Sequence, residues 1–284
     1  MTGIRRVRRR DAGYPDLLAR IHDPPPAIFL RGAGDDALLS RAAVSVVGAR
    51  SCSAYGRSVA RSLGRELAAA GLVVVSGMAR GVDGEAHRGA LEAGGVTAAV
   101  LGCGIDRDYP AAHAELARRI CKQGLIVSEY KPGVEPAPWR FPARNRIIAG
   151  MCEATVVVEA RERSGALITA DFALEEGRDV FAVPGEITSA LSAGTNALLR
   201  LGATPVTCAA DVLELFDLVP AESETASLGP DAQALLERLE DGALTADELV
   251  RASGVDPAQA SAALMELELA LRVSLVDGVY RASA

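Results

Sequence analysis

The sequence predicts an α/β protein with a doubly wound, mostly parallel sheet, followed by a small C-terminal winged-helix domain. Short apolar runs without polar alternation recur along the chain, which is typical of strands buried on both faces of a parallel sheet. Each run is followed by glycine and then by an alanine- and leucine-rich stretch of helical length. After residue 216 the pattern changes to short helices and a terminal hairpin.

Residues 1–41 precede the first predicted strand, and we expect them to form an N-terminal arm and a lead-in packed on the sheet. Between Tyr14 and Gly32 they contain one short helix and a triple proline. Residues 42–216 hold six strand–helix units, which predict the doubly wound domain. The strands are predicted at 44–47, 72–75, 97–101, 125–127, 154–158 and 180–183.

Residues 217–229 are acidic, rich in Ser and Thr and bounded by proline, so they predict a linker. Residues 230–284 predict the winged-helix-like domain. Thr245 and Glu248 fit a capping box at the start of a helix, and a second helix is predicted from about Pro257. An Asp-Gly pair at 277–278 between two β-type dipeptides predicts a hairpin.

The composition is that of a globular protein, with 49% hydrophobic and 24% charged residues in 284. The length favours about two domains. The formal net charge of -7 argues against a non-specific nucleic-acid binder, but it is unevenly distributed. Residues 217–284 contain 13 acidic and 4 basic residues, whereas residues 1–216 contain 24 acidic and 26 basic ones. Any nucleic-acid site is therefore expected in residues 1–216, from a local concentration of basic side chains.

Five dispersed cysteines without a CxxC pair and only three histidines make a zinc site of the usual spacing improbable, and we expect neither a metal nor a cofactor. Scattered thiols in a chain of this size indicate a reducing compartment. The five arginines within residues 5–10 are not followed by the apolar stretch of a signal peptide. No run approaches the roughly 18 apolar residues of a membrane span. We therefore expect a cytoplasmic protein that does not contact a membrane.

In an open parallel sheet, ligands bind in the crevice beyond the carboxyl ends of the strands. The loops predicted there combine glycine with helix starts, where unpaired amides and the helix dipole favour phosphate. None contains the GxGxxG or GxxxxGK[ST] motif of dinucleotide and P-loop sites. They do contain arginines, which offer forked donors to phosphate, and aromatic rings, which can stack on unpaired bases. These residues are Arg50, Arg80, Arg144, Arg146, Tyr55, Tyr109, Tyr130, Trp139 and Phe141.

Other interpretations of these loops stay open. The arginines can be solvated or ion-paired, and Trp139 and Phe141 can simply anchor a long loop. Glu129 and Glu159 can act as an acid/base pair, although holding the arginines in place is the more economical role. Asp83 and His87 are spaced for a helical i,i+4 contact, for which a structural role is favoured over a catalytic one.

The segments GARSCSAYG, SGMARGVDGEAH, VLGCGIDRDYP, FPARNRIIAG, VVVEARERSGALITA and GRDVFAVPG follow one another in this order. They resemble the successive motifs of the DNA-processing protein A family (DprA, also called Smf), from about Tyr14 to Phe216. The C-terminal segment resembles the winged-helix appendage of that family. The resemblance implies an extended Rossmann-like fold with a basic pocket at the strand carboxyl ends.

The resemblance further implies a dimeric, cytoplasmic bacterial protein of natural transformation (competence). Such a protein binds incoming single-stranded DNA, protects it and helps to load the RecA recombinase for homologous recombination. By position in the motifs, the implied DNA-binding residues are Arg50, Ser51, Arg80, Gly81, Phe141, Arg144, Asn145 and Arg146. Residues with a possible supporting role are Gly48, Gly77, Lys131, Trp139, Arg140, Ser164 and Gly165.

Two departures from the family pattern stand out. Many relatives carry an N-terminal helical domain, whereas about a dozen residues precede Tyr14 here, so we expect the function of that domain to be absent. The usual GID motif is Gly81-Val82-Asp83 in this chain.

Two functions from different classes are compatible with these motifs. A non-enzymatic single-stranded DNA-binding mediator is favoured, because the sequence offers no clear set of nucleophile, base and orienting partner. The alternative is a Rossmann-type nucleotide hydrolase of the phosphoribohydrolase kind, suggested by the helix start at Ser164–Gly165 beside Glu159. The PGGxGT turn of that group is missing. A third possibility, duplex reading by the winged helix, is disfavoured because residues 258–270 contain no Arg or Lys.

Overall fold

The structure is a computed structural model that describes residues 3–221, 228–240, 242–269, 272–276 and 278–282. The chain divides into two compact units, residues 1–221 and residues 222–284. Each unit has its own hydrophobic core. Of the predicted linker at 217–229, residues 222–227 lie outside the described residues.

The first unit is built on a nine-stranded sheet. Its strands are β1 (Arg5–Arg8), β2 (Ala27–Arg31), β3 (Ala43–Val47), β4 (Val73–Ser76), β5 (Thr97–Leu101), β6 (Leu125–Ser128), β7 (Ala154–Val157), β8 (Asp179–Ala182) and β9 (Thr204–Pro205). They are arranged in the order β1-β2-β6-β5-β4-β3-β7-β8-β9. All neighbours from β6 to β9 are parallel, whereas β2 pairs antiparallel with both β1 and β6.

Helices cover both faces of this sheet. They are α1 (Asp16–Ala19), α2 (Ala54–Ala69), α3 (Val82–Glu92), α4 (Ala114–Gln123), α5 (Arg140–Gly150), α6 (Gly165–Glu175), α7 (Ala193–Arg200) and α8 (Ala210–Leu213). On β3, Val44 and Val46 belong to the core under α2 and α3. Val47 belongs to the core on the other face, with α5 and α6. The predicted doubly wound, mostly parallel fold is confirmed.

Residues 5–8 and 27–31 form two strands of the sheet itself, which differs from the predicted lead-in packed on it. β1 and β2 extend the sheet beyond β6, with Arg8 opposite Ala27 and Phe29 opposite Ser128. The sequence gives little sign of β1, because RRVR offers a single apolar residue, Val7, to a core. The triple proline just before Ala27 likewise masks the start of β2.

The strand order reverses at β3, which positions the ligand site. The chain runs from β3 outward through β4, β5 and β6, and then returns to the opposite side of β3 with β7, β8 and β9. The helices that follow β3 and β7 therefore diverge to opposite faces, leaving a crevice at the carboxyl ends of these two strands.

The second unit has the winged-helix architecture predicted for it. Its elements are α9 (Pro230–Glu240), β10 (Leu244–Thr245), α10 (Ala246–Ser253), α11 (Pro257–Leu269), β11 (Val273–Val276) and β12 (Val279–Ala282). The capping box of Thr245 and Glu248 is formed, and α10 ends at Gly254 with φ 73°. β11 and β12 form the terminal hairpin. The predicted turn residue Asp277 lies outside the described residues. Within the described part of the chain, no helix is long and apolar enough to cross a bilayer.

Candidate nucleic-acid interface

Two adjoining cavities lie at the carboxyl ends of the central strands. The larger, about 530 Å³, is lined by the loops that follow β3 and β7 and by the starts of α5 and α6. The smaller, about 300 Å³, lies at the ends of β4 and β5. Residues shared by the two linings are Arg50, Ser51, Ala79, Phe141 and Arg144. We call the two cavities together the crevice.

The crevice is rich in arginines without counter-ions. Arg50, Arg80, Arg161 and Arg163 are exposed residues of its lining. Within the described part of the chain, none of the four forms an ion pair, although other arginines such as Arg61 and Arg88 do. An arginine guanidinium without a carboxylate partner is free to donate two parallel hydrogen bonds to a phosphate. The crevice is therefore a local basic site on an acidic chain.

Arg161 and Arg163 do not belong to the residues predicted for the site. They lie in the segment EARERSG, directly after β7. The rule that places Arg50 and Arg80 in the crevice, position just after a parallel strand, also applies to them. The family motifs instead predict a supporting role for Ser164 and Gly165, and they do not include the two arginines beside them.

Phe141 forms an aromatic wall between the two cavities. Its ring stacks on that of Tyr109, with centroids 5.3 Å apart and an interplanar angle of 21°. The Arg50 guanidinium carbon lies 5.5 Å from the Phe141 centroid. A Cβ added to Gly102 would lie 2.8 Å from Phe141 Cδ1, so glycine leaves the space for the ring. Aromatic and guanidinium planes stacked in this way offer a platform to an unpaired base.

Arg144 is buried beneath the crevice, with 4% of its surface exposed. Its Nη1 donates to the carbonyls of Gly77 (2.9 Å) and Val100, and its Nε donates to Asn145 Oδ1 (3.3 Å). Burial lowers the pKa of Arg144 to about 10. Arg144 therefore ties the ends of β4 and β5 to α5, and it adds a positive charge to the floor of both cavities.

The Asp83 carboxylate lines the larger cavity and attracts the Arg144 guanidinium. Its carboxylate accepts hydrogen bonds from the backbone amides of Gly77 (3.1 Å) and Ala79 (3.2 Å). Burial raises the pKa of Asp83, while Arg144 and these amides act in the opposite direction. A Cβ at Gly77 would lie 2.5 Å from Arg144 Nη2 and 2.7 Å from Asp83 Oδ2. Glycine is thus required where the β4 loop passes over this pair.

The start of α6 completes the larger cavity. Asn145 Nδ2 donates to the carbonyl of Gly165 (3.0 Å), which fixes α5 against α6. The Ser164 hydroxyl caps α6 by accepting from the amide of Ala166 (3.3 Å). A Cβ at Gly165 would meet nothing within 4 Å, so the backbone there is open to the cavity. The positive end of the α6 dipole therefore adds to the attraction for anions.

Arg146 is not brought to the crevice, although the motif FPARNR predicts it there. Its Nη1 and Nη2 bind the carboxylate of Glu129 at 3.0 and 2.7 Å, and its Nε binds Asp23 at 3.1 Å. Two residues along a helix point to different sides, which separates Arg146 from Arg144. Arg146 connects α5 to the end of β6 and to the segment before β2.

The remaining predicted residues fall into two groups. Gly48 lines the larger cavity, and Gly81, with φ 74°, is required because a Cβ would clash with the carbonyl of Ala49. Lys131, Trp139 and Arg140 do not line the crevice. The Arg140 guanidinium lies 4.8 Å from the Trp139 ring and 5.0 Å from the Tyr130 ring.

The carboxylates and histidines considered for catalysis have structural partners. Glu129 binds Arg146, and Glu159 accepts from the Ser53 amide (2.9 Å) and hydroxyl (2.5 Å) at the start of α2. His87 Nδ1 lies 2.6 Å from Thr97 Oγ1, and Asp83 binds backbone amides instead of His87. No group of three potential metal ligands occurs in the described residues.

Comparison with known proteins agrees with this geometry. Residues 5–217 match the family model described as DNA recombination-mediator protein A. The chain belongs to this family. Residues 219–278 match the DprA winged helix domain, so the resemblance to DprA/Smf is confirmed in both units. Membership gives the chain a role in DNA processing for recombination.

Individual DprA proteins are similar over most of the chain. DprA of Streptococcus pneumoniae is 47% identical over 211 residues, covering 73% of this chain and 72% of that protein. The putative DprA of Mycobacterium tuberculosis is 44% identical over 272 residues, covering 92% and 69%.

Solved DprA structures share the fold. The S. pneumoniae structure has a TM-score of 0.71 at 45% identity, covering 74% of each chain. A Helicobacter pylori DprA structure, described as revealing a single-stranded DNA binding mode, has a TM-score of 0.68 at 29% identity. It covers 77% of this chain and all of that one.

Proposed function

We propose that this chain binds single-stranded DNA in the crevice and acts as a non-enzymatic recombination mediator. One observation carries the proposal: four exposed arginines, none of them ion-paired within the described residues, line two cavities that share the Phe141 ring at the topological switch point of the sheet. That ring stacks on Tyr109. Guanidinium groups can donate two parallel hydrogen bonds to a phosphate, and aromatic rings can stack on unpaired bases of any sequence. The single-stranded DNA binding described for the H. pylori relative supports the same ligand.

The biological role that follows is protection of incoming single-stranded DNA and assistance in loading the RecA recombinase during natural transformation and homologous recombination. We further propose that the chain acts as a homodimer in the cytoplasm. These parts of the proposal rest on family membership. Asn145 and Arg144 shape the crevice from below, whereas Arg50, Ser51, Arg80, Arg161 and Arg163 contact the DNA.

The proposal is tested by removing two exposed arginines of the larger cavity. Arg50→Gln with Arg163→Gln should lower the affinity for single-stranded DNA. It should also flatten the dependence of log K on log salt by about 0.7 for each lost phosphate contact. The matched control removes the same charge elsewhere, with Arg118→Gln and Arg200→Gln. Equal affinity of the two variants at about 0.15 M salt would contradict the crevice as the DNA site.

The hydrolase alternative is tested in parallel. Glu159 lies beside the start of α6, but its carboxylate already accepts hydrogen bonds from the amide and the hydroxyl of Ser53. Incubation of the protein with nucleoside monophosphates should therefore release no free base. Release of base that is lost on Glu159→Gln substitution would identify an enzyme instead.

A further inference from the structure

A second basic surface lies outside the crevice, at the β1 edge of the sheet. Arg6, Arg8, Arg9 and Arg10 line an open groove of about 560 Å³ together with two prolines, Pro24 and Pro26. All four arginines are exposed, and within the described residues none forms an ion pair. Arg5, the remaining arginine of this run, points away and binds Asp36. We call this surface the β1 groove.

The walls of the β1 groove are fixed by hydrogen bonds. The Arg9 amide donates to the Pro26 carbonyl (3.1 Å), and the buried Tyr14 hydroxyl donates to the Pro25 carbonyl (2.7 Å). The Asp11 carboxylate accepts a hydrogen bond from the backbone amide of Arg8 (2.8 Å). Arg6 lies over the Phe29 ring at 5.8 Å. The groove is thus a built surface that keeps several guanidinium groups close together, none of them ion-paired within the part of the chain that the structure describes.

Strand direction places the β1 groove on the same edge of the sheet as the crevice. β1 is antiparallel to β2, and β2 is antiparallel to β6, so β1 runs in the same direction as the parallel strands. Its carboxyl end, which leads into Arg9 and Arg10, therefore faces the edge at which β3 to β7 end. β1 lies three strand positions from β5 and five from β3, so the β1 groove is about 14 Å from the near side of the crevice and about 24 Å from its far side at the usual strand spacing.

The two sites are also joined by packing. α5 carries Phe141 and Arg144 in the crevice, and its Arg146 binds both Glu129, at the end of β6, and Asp23. Asp23 directly precedes Pro24 of the β1 groove. Arg146 therefore links α5, which carries the crevice residues, to the segment that leads into the β1 groove.

We infer that the β1 groove is a second binding site for the phosphate backbone of the single-stranded nucleic acid held in the crevice. This inference rests on the proposed function. The crevice holds one segment of the strand, and the strand continues along the carboxyl edge to the β1 groove. Arginines fit this ligand because they offer forked donors to successive phosphates, which requires no particular base sequence.

The test compares oligonucleotides that are too short, or long enough, to reach both sites. Suitable lengths are about 4 and about 16 nucleotides, the range of common single-strand binding sites. The variant combines Arg6→Gln, Arg8→Gln and Arg10→Gln, and leaves Arg9 because its Nη2 donates to the Ala19 carbonyl. The control variant, with Arg118→Gln, Lys122→Gln and Arg200→Gln, loses the same charge at exposed positions.

The groove variant should bind the long oligonucleotide about tenfold more weakly than the control at about 0.15 M salt, with a salt dependence flatter by about 2. Its affinity for the short oligonucleotide should equal that of the control. Equal affinities of both variants for the long oligonucleotide would overturn the inference and leave the groove to an acidic protein partner. Equal weakening for both lengths would also overturn it, since the groove would then act through the crevice. Failure of the proposed function is recognised separately, by an Arg50/Arg163 variant that retains the short oligonucleotide.

Discussion

Arg144 and Arg146 share one motif and one helix but have different partners. Arg144 is buried and donates to backbone carbonyls under the crevice, whereas Arg146 is ion-paired with Glu129 and Asp23. Neither guanidinium is as free as that of Arg50, which is exposed at the crevice. Loss of DNA binding in an Arg144 or Arg146 variant would therefore report on the local fold as much as on contact with a phosphate.

This difference gives a prediction at the level of single residues. Arg144→Ala should lower the free energy of unfolding by about 3 kcal/mol, because it removes the buried donor to the carbonyls of Gly77 and Val100 and a cation that stabilises the buried Asp83 carboxylate. Arg50→Ala should change the free energy of unfolding by less than about 1 kcal/mol, since the side chain is exposed and its cation–π contact with Phe141 is of the weak, solvent-exposed kind. Urea denaturation measures both values. Equal stability of the two variants would show that Arg144 is not part of the fold's support.

Helices α2 and α3 set the positions of Arg50 and Arg80, which precede them. The two helices approach closely through glycines: a Cβ at Gly89 would lie 2.8 Å from the Arg65 amide, and one at Gly64 would lie 2.9 Å from Ala86 Cα. Backbone this close cannot yield as a flexible side chain would. The contact of the two helices is therefore part of the crevice's support.

Gly89→Ala should destabilise the protein by about 1–3 kcal/mol, because the added methyl forces the helices apart. Gly165→Ala is the matched control, since open space surrounds that position. The control should alter the free energy of unfolding by less than about 1 kcal/mol. Thermal melts of the two variants compare them directly. A Gly89→Ala variant as stable as the control would mean that α2 and α3 can separate at no cost.

His87 links α3 to β5 and makes the stability of the first unit depend on pH. Burial lowers its pKa from 6.5 to about 3, so the folded state keeps it neutral while the unfolded state protonates it. The stability is therefore complete above about pH 6.5 and is lost as pH falls towards 3. Between pH 7 and about pH 5, wild type should lose about 2 kcal/mol more than His87→Gln. Urea titrations at the two pH values measure the difference, and parallel losses in both proteins would refute the assignment.

The elements that the sequence predicts well are those with a strong local pattern. Uninterrupted apolar runs predict β3 to β8, and their loops identify Arg50 and Arg80 because the carboxyl ends of parallel strands share one edge. The sequence does not predict β1, because its pairing with β2 depends on contacts between distant residues instead of on an apolar run. The different environments of Arg144 and Arg146 are not predicted either, since they depend on which side of α5 packs against the end of β4 and which side packs against the end of β6.

At the scale of the whole molecule, the acidic part of the sequence begins close to the boundary between the two compact units. The apolar cores of residues 1–221 and of the second unit share no residue. The arginines of the crevice and of the β1 groove all lie in the first unit, whereas the segment 217–284 holds 13 acidic and 4 basic residues. The acidic excess behind the net charge of -7 therefore lies in residues 217–284, and nucleic acid is not expected to bind that segment.

A chain that ends at residue 221 should consequently keep its fold and its affinity for single-stranded DNA. The residues that line the crevice belong to the first unit, and the sequence of α11 contains no basic residue. Circular dichroism checks the fold, and fluorescence anisotropy with a labelled oligonucleotide checks the affinity. A folded but non-binding truncated protein would place part of the DNA site in the winged-helix unit.

The position of β1 and β2 at the far side of β6 has a consequence for the order of assembly during synthesis. Phe29 pairs with Ser128, so β2 waits for about a hundred residues of later sequence before its partner strand exists. At ordinary ribosomal rates this delay is about 5–20 s. The strand that leads into the arginines leaves the ribosome before the central strands do, and it can join the sheet only after they have been made.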